Sequence, residues 1–273
     1  MGKLFQIPDS KFLDMAEQDY GLWRRSFKNR SKEYKKYVNQ INKIFGLEDT
    51  DKFNTKRAPK FWAGKRRNPR FIFVSLNPGQ GKERNKRSND KELAKNWDFY
   101  KEKCDNAFKT RGEKDTKSKF FLAFYKILSG IDSVESKKKL DWYYFHKHVL
   151  NLNLFPFHSN TSQSYPSRFS AIKLAVIMEH LALLLKYIEK RKPDMCFFNG
   201  KVWETLFIKH GLISENKIKD KITFRNGAVL YFFKYNKKKY VLLNRFLSYG
   251  SGLTDDELRR KMPKAIKTFL KIK

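Results

Sequence analysis

Short apolar runs that stop abruptly at Asn, Pro or Gly constrain the fold of this chain more than any other feature. Runs of this length, bounded by turn-forming residues, are typical of strands buried on both faces of a parallel sheet. Segments with helical spacing lie between them, so predicted strands and helices alternate along the chain. The predicted strands cover residues 71–76, 148–155, 195–198, 228–235 and 240–244.

This alternation predicts an α/β fold of three layers, in which helices flank a central, mainly parallel four-stranded sheet. Gly130 is expected to end one helix, and Thr254 with Glu257 forms a capping box that begins the last one. Ligands of such sheets bind beyond the carboxyl ends of the strands, so functional residues are expected there. The predicted helices cover residues 91–103, 118–128, 170–190, 202–210 and 255–271.

The first 65 residues carry a different pattern, in which charged helical segments precede any buried strand. Helices are predicted over residues 11–20 and 32–45, and the second is expected to end at Gly46. We therefore predict a helical, basic N-terminal extension over residues 1–65 and an α/β domain over residues 66–273.

The charge balance points to a polyanionic partner. Lys and Arg total 60 against 28 Asp and Glu, a formal net charge of +32, and 16% of the residues are aromatic. Such a chain can form a core and still present a strongly positive surface, which attracts nucleic acid or an anionic membrane. An AT-rich coding bias is the alternative source of many lysines, but it does not explain why acidic residues are so few.

Neither a metal site nor a membrane span is expected. The cysteines, Cys104 and Cys196, are far apart, and the histidines follow no metal-ligand spacing. The most apolar stretch, residues 171–188, is interrupted by charged residues and is typical of a buried helix. We expect a monomeric cytoplasmic protein that binds nucleic acid, without a metal, another cofactor or a membrane partner.

Amide side chains follow the predicted strands at similar positions. Asn77, Asn153 and Asn244 each lie at or just beyond a strand end, where no acidic residue stands as an evident nucleophile. An amide offers one acceptor and two donor hydrogens, so it can orient a water molecule or read the polar edge of a nucleobase. Each Asn alone is also a common turn residue. Their repetition at matching strand ends favours a binding site.

These motifs resemble those of the uracil-DNA glycosylase superfamily, in the order that the superfamily has them. The segment 73–79, which ends in Asn77-Pro78-Gly79, is similar to the first motif of its mismatch-specific and single-strand-selective branches. Asn153-Leu154-Phe155-Pro156 resembles the base-reading segment, and 197–203 resembles the third strand with its Gly turn. The resemblance extends from about Arg70 to the C-terminus, although each motif is short.

The resemblance implies a four-stranded parallel sheet and metal-independent hydrolysis of the bond between base and sugar. Asn77 would position the attacking water, and Asn153 would hydrogen-bond the flipped base. Pro78 would also belong to the substrate-binding residues. Gly79 replaces the bulky Tyr that blocks carbon 5 of the pyrimidine in the most uracil-restricted branch. The implied substrates are therefore uracil and larger 5-modified pyrimidines, including glucosylated hydroxymethylcytosine of phage DNA, which makes DNA repair and antiviral defence the implied roles.

The second catalytic motif departs from the superfamily pattern. Asn244 stands where His usually begins it, with Arg245 as an alternative, and Leu247 or Tyr249 is the candidate wedge that fills the vacated base stack. Two further site roles are open to residues outside the motifs. His158 is a candidate contact to phosphate or base, and the candidates for the aromatic that stacks on the base are Phe108, Trp97 and Phe99.

Basic runs near the motifs are candidate phosphate contacts, which position a protein on DNA without reading its sequence. The candidate DNA contacts are Lys82, Arg84, Lys86, Arg87 and Ser248.

Two other functions are open to this chain. A second hypothesis is a non-catalytic nucleic-acid-binding protein of the same fold, because the usual second motif is missing. A nuclease is a third hypothesis, but the densest acidic cluster, Asp255-Asp256-Glu257, is typical of a helix start.

Overall fold

The computed structural model describes residues 10–47, 52–76, 86–109, 119–133, 141–158, 170–235, 238–245, 247 and 252–271. Its helices are α1 (Ser10–Asn29), α2 (Glu33–Phe45), α3 (Lys86–Leu93), α4 (Trp97–Asp105), α5 (Lys119–Ile131), α6 (Trp142–His148), α7 (Ala171–Arg191), α8 (Lys201–Glu204) and α9 (Met262–Leu270). A π-helical turn, Thr205–Lys209, follows α8, and another, Glu257–Lys261, precedes α9. The strands are β1 (Trp62–Gly64), β2 (Phe71–Ser75), β3 (Val149–Asn153), β4 (Met195–Asn199), β5 (Ile218–Thr223), β6 (Val229–Tyr235) and β7 (Lys238–Leu243).

The strands form a seven-stranded mixed sheet in the order β1-β3-β2-β4-β7-β6-β5. β2 pairs in parallel with β4, and β4 pairs in parallel with β7. β7, β6 and β5 pair antiparallel. The α/β prediction is confirmed, but the sheet has seven strands instead of the expected four, and five of the seven match strands predicted along the chain. The sequence missed β1 because it has three residues, and β5 because its polar, largely exposed residues lack an apolar run.

The helix predictions over residues 91–103 and at Gly130 are wrong, for reasons that the contacts show. The helix predicted over 91–103 is two helices, because the Asn96 side chain accepts a hydrogen bond from the Phe99 amide at 2.8 Å and begins α4. Gly130 does not end α5, which continues to Ile131. A Cβ at Gly130 would overlap the main-chain oxygen of Arg259 and the ring of Pro263. Glycine is required there for close packing rather than for termination.

The chain divides into two compact units. The first unit comprises Met1–Arg66, Ser75–Ala107 and Asn151–Arg191, and the second comprises Arg67–Val74, Phe108–Leu150 and Lys192–Lys273. In the first unit α1 packs its aromatic face against neighbouring segments: the ring of Phe12 lies 4.6 Å from that of Tyr187, and that of Tyr20 lies 4.8 Å from that of Tyr100. The N-terminal helices are therefore part of this unit's core.

A buried carboxyl group lies in this helical region. Asp19 is 5% exposed, and its nearest hydrogen-bond partner is the Tyr37 hydroxyl at 3.5 Å. Burial raises the pKa of Asp19 from 3.8 to about 7. The group therefore contributes stability that is fully present below about pH 4 and is lost as the pH rises towards 7, because the folded state must then bury a charge.

Replacing Asp19 with asparagine is expected to stabilise the protein at pH 8 by about 2–4 kcal/mol and to leave it nearly unchanged at pH 4. Thermal unfolding of both proteins at the two pH values measures this difference. An equal shift at both pH values would contradict the proposed ionisation.

The second unit has an apolar centre and a capped C-terminal helix. The Phe73 ring lies 4.7 Å from that of Phe124 and stacks on Phe197 at 5.7 Å. The predicted capping box is confirmed, since the Thr254 amide donates to Glu257 Oε2 at 2.7 Å and the Glu257 amide donates to Thr254 Oγ1 at 3.2 Å. These bonds satisfy main-chain donors at the helix start.

Replacing Thr254 with alanine is expected to cost about 1 kcal/mol of stability, because the Glu257 amide loses its acceptor. Urea unfolding of Thr254→Ala beside Thr254→Ser measures the effect. The serine variant keeps the hydroxyl and should recover most of the loss. A destabilised serine variant equal to the alanine variant would show that the methyl group matters instead.

No described helix combines the length and apolarity needed to cross a membrane. Within the described ranges, no group of three or more His, Cys, Asp and Glu side chains is placed to hold a metal ion.

Candidate functional site

The ends of β2 and β3 meet in the first unit. The Leu154 amide donates to the Ser75 oxygen at 2.9 Å, and the Phe155 amide donates to the Leu76 oxygen at 2.8 Å. The two strands are also joined by side chains, since the Ser75 hydroxyl donates to Asn151 Oδ1 at 3.0 Å. Leu76 is the last described residue of its segment. Asn77, Pro78 and Gly79, the predicted first motif, lie outside the described residues.

Asn153 lies immediately before this junction and is 2% exposed. Its amide nitrogen donates to the Lys60 oxygen at 2.7 Å, which fixes the orientation of the side chain because a carbonyl can only accept. No hydrogen bond reaches Asn153 Oδ1 from the described residues. One amide hydrogen and the oxygen of Asn153 therefore remain for a ligand. Together they form a donor–acceptor pair of the kind that reads the edge of a base.

A buried histidine, which no sequence motif indicated, supports the same segment. His180 of α7 forms a hydrogen bond with the Leu154 main chain, and its ring lies 5.3 Å from that of Phe155. Burial lowers the pKa of His180 to about 4, so the imidazole is neutral at pH 7. His180 thus holds the residue that follows Asn153 without adding a charge.

The other site candidates of the first unit lie in different surroundings. His158 is half-buried, and its main-chain oxygen accepts a hydrogen bond from the Asn54 amide at 2.7 Å. Trp97 stacks on Tyr100, and the half-buried Phe99 ring has lysine ammonium groups 4.6 and 5.0 Å from its centre. These contacts favour packing or surface roles for both rings.

In the second unit, Asn244 follows β7 and uses both atoms of its amide. Its Oδ1 accepts from the Val229 amide at 2.8 Å, and its Nδ2 donates to Glu204 Oε1 at 3.2 Å. The Tyr231 hydroxyl donates to the same carboxylate oxygen at 2.6 Å, and burial together with Glu204 raises the pKa of Tyr231. A carboxylate therefore lies beside the predicted second-motif residue. The sequence missed it because Glu204 and Asn244 are 40 positions apart.

Other predicted residues of the second unit are divided between core and surface. Leu247 is fully buried, and its amide donates to Asn199 Oδ1 at 3.1 Å, so its side chain is not placed as a surface wedge. Phe108 is also fully buried and stacks on Trp142 at 5.9 Å, which favours a core role over contact with a base. Arg245 is exposed, as a side chain that contacts a phosphate must be.

The candidate phosphate contacts are only partly described. Lys86 and Arg87 begin α3, whereas Lys82, Arg84, Ser248 and the alternative wedge Tyr249 lie outside the described residues. Among the predicted site residues, Asn153 directly precedes the described junction of residues 154–155 with residues 75–76. Compared with known proteins, the chain matches no protein-family model and no curated protein.

Proposed function

We propose that this protein is a metal-independent DNA glycosylase, which flips a uracil-type or bulky 5-modified pyrimidine out of DNA and hydrolyses its N-glycosidic bond. The observation that carries the proposal is the hydrogen-bonded junction of residues 75–76 with 154–155. Asn153 lies directly before one side of it, and Asn77 follows the other side in the sequence. The proposal gives these two amides complementary tasks: Asn77 positions the water and Asn153 reads the base.

The chemistry of the reaction fits amide side chains. A flipped base must be read by hydrogen bonds in a pocket, since its glycosidic bond is otherwise hidden in the duplex. The oxygen of a water molecule bonds to C1′ while the C1′–N bond breaks, and the electron pair leaves with the base. The added water then loses a proton to the solvent, and the base takes one up. Asn77 orients this water but cannot accept its proton, so turnover is expected to be slower than with a carboxylate.

The surroundings of the amide pair add to the proposal. The net charge of +32 supplies attraction to phosphates that does not depend on sequence. In the resembling superfamily a bulky Tyr at the position of Gly79 blocks carbon 5, and a glycine there would admit a hydroxymethyl group and its glucosylated form.

One observation favours a non-catalytic nucleic-acid-binding protein as the second candidate function. Both amide atoms of Asn244 are bonded to protein atoms, so the expected second catalytic residue has a structural task. In that case the basic surface would bind DNA without base release.

An excision assay tests the proposal. The protein is incubated in EDTA with duplexes and single strands that carry uracil, mismatched thymine, hydroxymethylcytosine or its glucosylated form. Alkali-labile sites on one substrate, reduced by about 10-fold or more in Asn153→Ala, would support it. Asn96→Ala, which removes a surface amide that caps α4, is the matched control and should keep wild-type activity. Bound DNA without abasic sites on any substrate would favour the binding protein.

A further inference from the structure

Helix α2 exposes a stripe of basic and amide side chains along its length. The exposed residues recur at intervals of three or four positions, from the residue that precedes the helix to its last turn. Because residues at these intervals lie on the same side of a helix, their side chains form one continuous surface. This surface is about 16 Å long, since each helical residue adds about 1.5 Å. The members of the α2 stripe are Lys32, Lys36, Asn39, Gln40 and Lys43.

The charge of the α2 stripe is not balanced within its own helix. Glu33 is the only acidic residue in the sequence of α2, and its carboxylate lies 3.7 Å from the Nε atom of Arg25 in α1. The exposed face of α4, in contrast, mixes both signs, and Lys101 pairs there with Asp98 at 2.7 Å. Mixed charges of this kind are typical of a face that meets only water. The α2 stripe instead keeps a net positive charge, which favours a polyanionic partner.

The opposite face of α2 fixes the stripe to the first unit. Asn42 is 3% exposed; its Nδ2 donates to the Phe53 oxygen at 3.2 Å, and its Oδ1 accepts from the Phe53 amide at 2.8 Å. The hydroxyl of the buried Tyr34 donates to the Arg57 oxygen at 3.2 Å. These bonds hold the helix against rotation about its axis, so the exposed side chains start from fixed positions. A surface that is already in place loses less conformational entropy when it binds a partner.

The same helix packs against the segment that follows Asn153. The ring of Phe45 lies 5.2 Å from that of Phe155, and the ring of Tyr37 lies 5.8 Å from that of Phe157. The α2 stripe and the candidate base-reading residue therefore belong to one compact unit. Helix α2 lies outside the part of the chain that resembles the glycosylase superfamily, so the motifs do not account for its charge.

We propose that the α2 stripe is a docking surface for duplex DNA, on which Lys32, Lys36 and Lys43 contact backbone phosphates. The inference goes beyond the excision chemistry and rests on the proposed function only for the identity of the partner. A duplex carries one negative charge for about every 1.7 Å of its axis, so a straight stripe meets several phosphates at once. Asn39 and Gln40 donate to phosphate oxygens between the lysines, as amide side chains do on DNA backbones. These contacts hold the duplex without reading its sequence.

The test removes the lysines of the stripe together and follows the salt dependence of binding. The stripe variant combines Lys32→Gln, Lys36→Gln and Lys43→Gln. The control variant loses the same positive charge from exposed lysines of α1, α4 and α7, which belong to the same unit. It combines Lys11→Gln, Lys103→Gln and Lys190→Gln. Affinity for a short unmodified duplex is measured over a range of salt concentrations, so that the result does not depend on base excision.

We expect the stripe variant to bind the duplex about 10- to 100-fold more weakly than the wild type at moderate salt. The slope of log affinity against log salt concentration should become shallower by about 2 to 3, since each lost phosphate contact removes about 0.9. The control variant should lose no more than about threefold in affinity and keep a slope within about one contact of the wild type. Both variants should melt close to the wild-type temperature, because the replaced side chains are exposed.

The possible outcomes separate this inference from the proposed function. Wild-type affinity and slope in the stripe variant would overturn the inference alone. Equal losses in the stripe and control variants would show that net charge matters and that the position of the lysines does not. A wild type that binds polyglutamate as tightly as the duplex would overturn DNA as the partner of this surface. Weaker binding by the stripe variant of a wild type that excises no base would support the inference while the proposed function fails.

Discussion

Asn77→Ala is expected to slow base release by about 100-fold or more while DNA affinity changes by no more than about twofold. Asn77 follows directly on the strand end that is hydrogen-bonded to the segment after Asn153. If it orients the attacking water, its loss removes an interaction that is needed for the reaction and leaves phosphate contacts untouched. Rate and affinity should therefore separate.

Single-turnover excision and equilibrium binding on the same substrate measure this separation. Asn96→Ala is again the control, because it removes an amide from the first unit at an exposed helix cap. Equal losses of rate and affinity would instead indicate that Asn77 contributes to binding or to folding. An unchanged rate would remove Asn77 from the catalytic assignment.

Gly130→Ala is expected to destabilise the protein by about 1–3 kcal/mol. Alanine normally stabilises a helix relative to glycine by about 1 kcal/mol, so the sign is the opposite of the usual one. The reason is the close approach of α5 to the segment of Arg259 and Pro263, whose main-chain oxygen and ring occupy the space that a Cβ needs. Main-chain atoms cannot rotate away as a side chain can.

Gly21→Ala provides the matched comparison. Gly21 lies within α1, and a Cβ there would meet only the end of the Arg25 side chain, at 3.6 Å. This variant is expected to raise stability by about 0.5–1 kcal/mol. Denaturant unfolding of both variants under one condition checks the pair. Stabilisation by both would contradict the described packing of α5.

Local patterns in the sequence were sufficient for much of the fold. β2 and β4 are continuous apolar runs, and the capping box at Thr254 depends on residues three positions apart. β5 was missed because an edge strand pairs on one side and can be polar throughout. Gly130 was misread because the sequence does not show which distant segment approaches a glycine.

The candidate site was predictable only where its residues lie in a motif. Asn153 was found because it ends an apolar strand. Glu204 and His180 were not, because their significance depends on Asn244 and on the main chain of Leu154, which are distant in sequence.

Mass spectrometry of the reaction products tests the central claim most directly. The protein is incubated in EDTA with a short DNA that contains one candidate base, and both the strand and the small molecules are weighed. A glycosylase yields the free base and an intact strand in which a hydroxyl group has replaced that base. Unchanged DNA across all candidate bases, or shortened strands without free base, would contradict the proposed function.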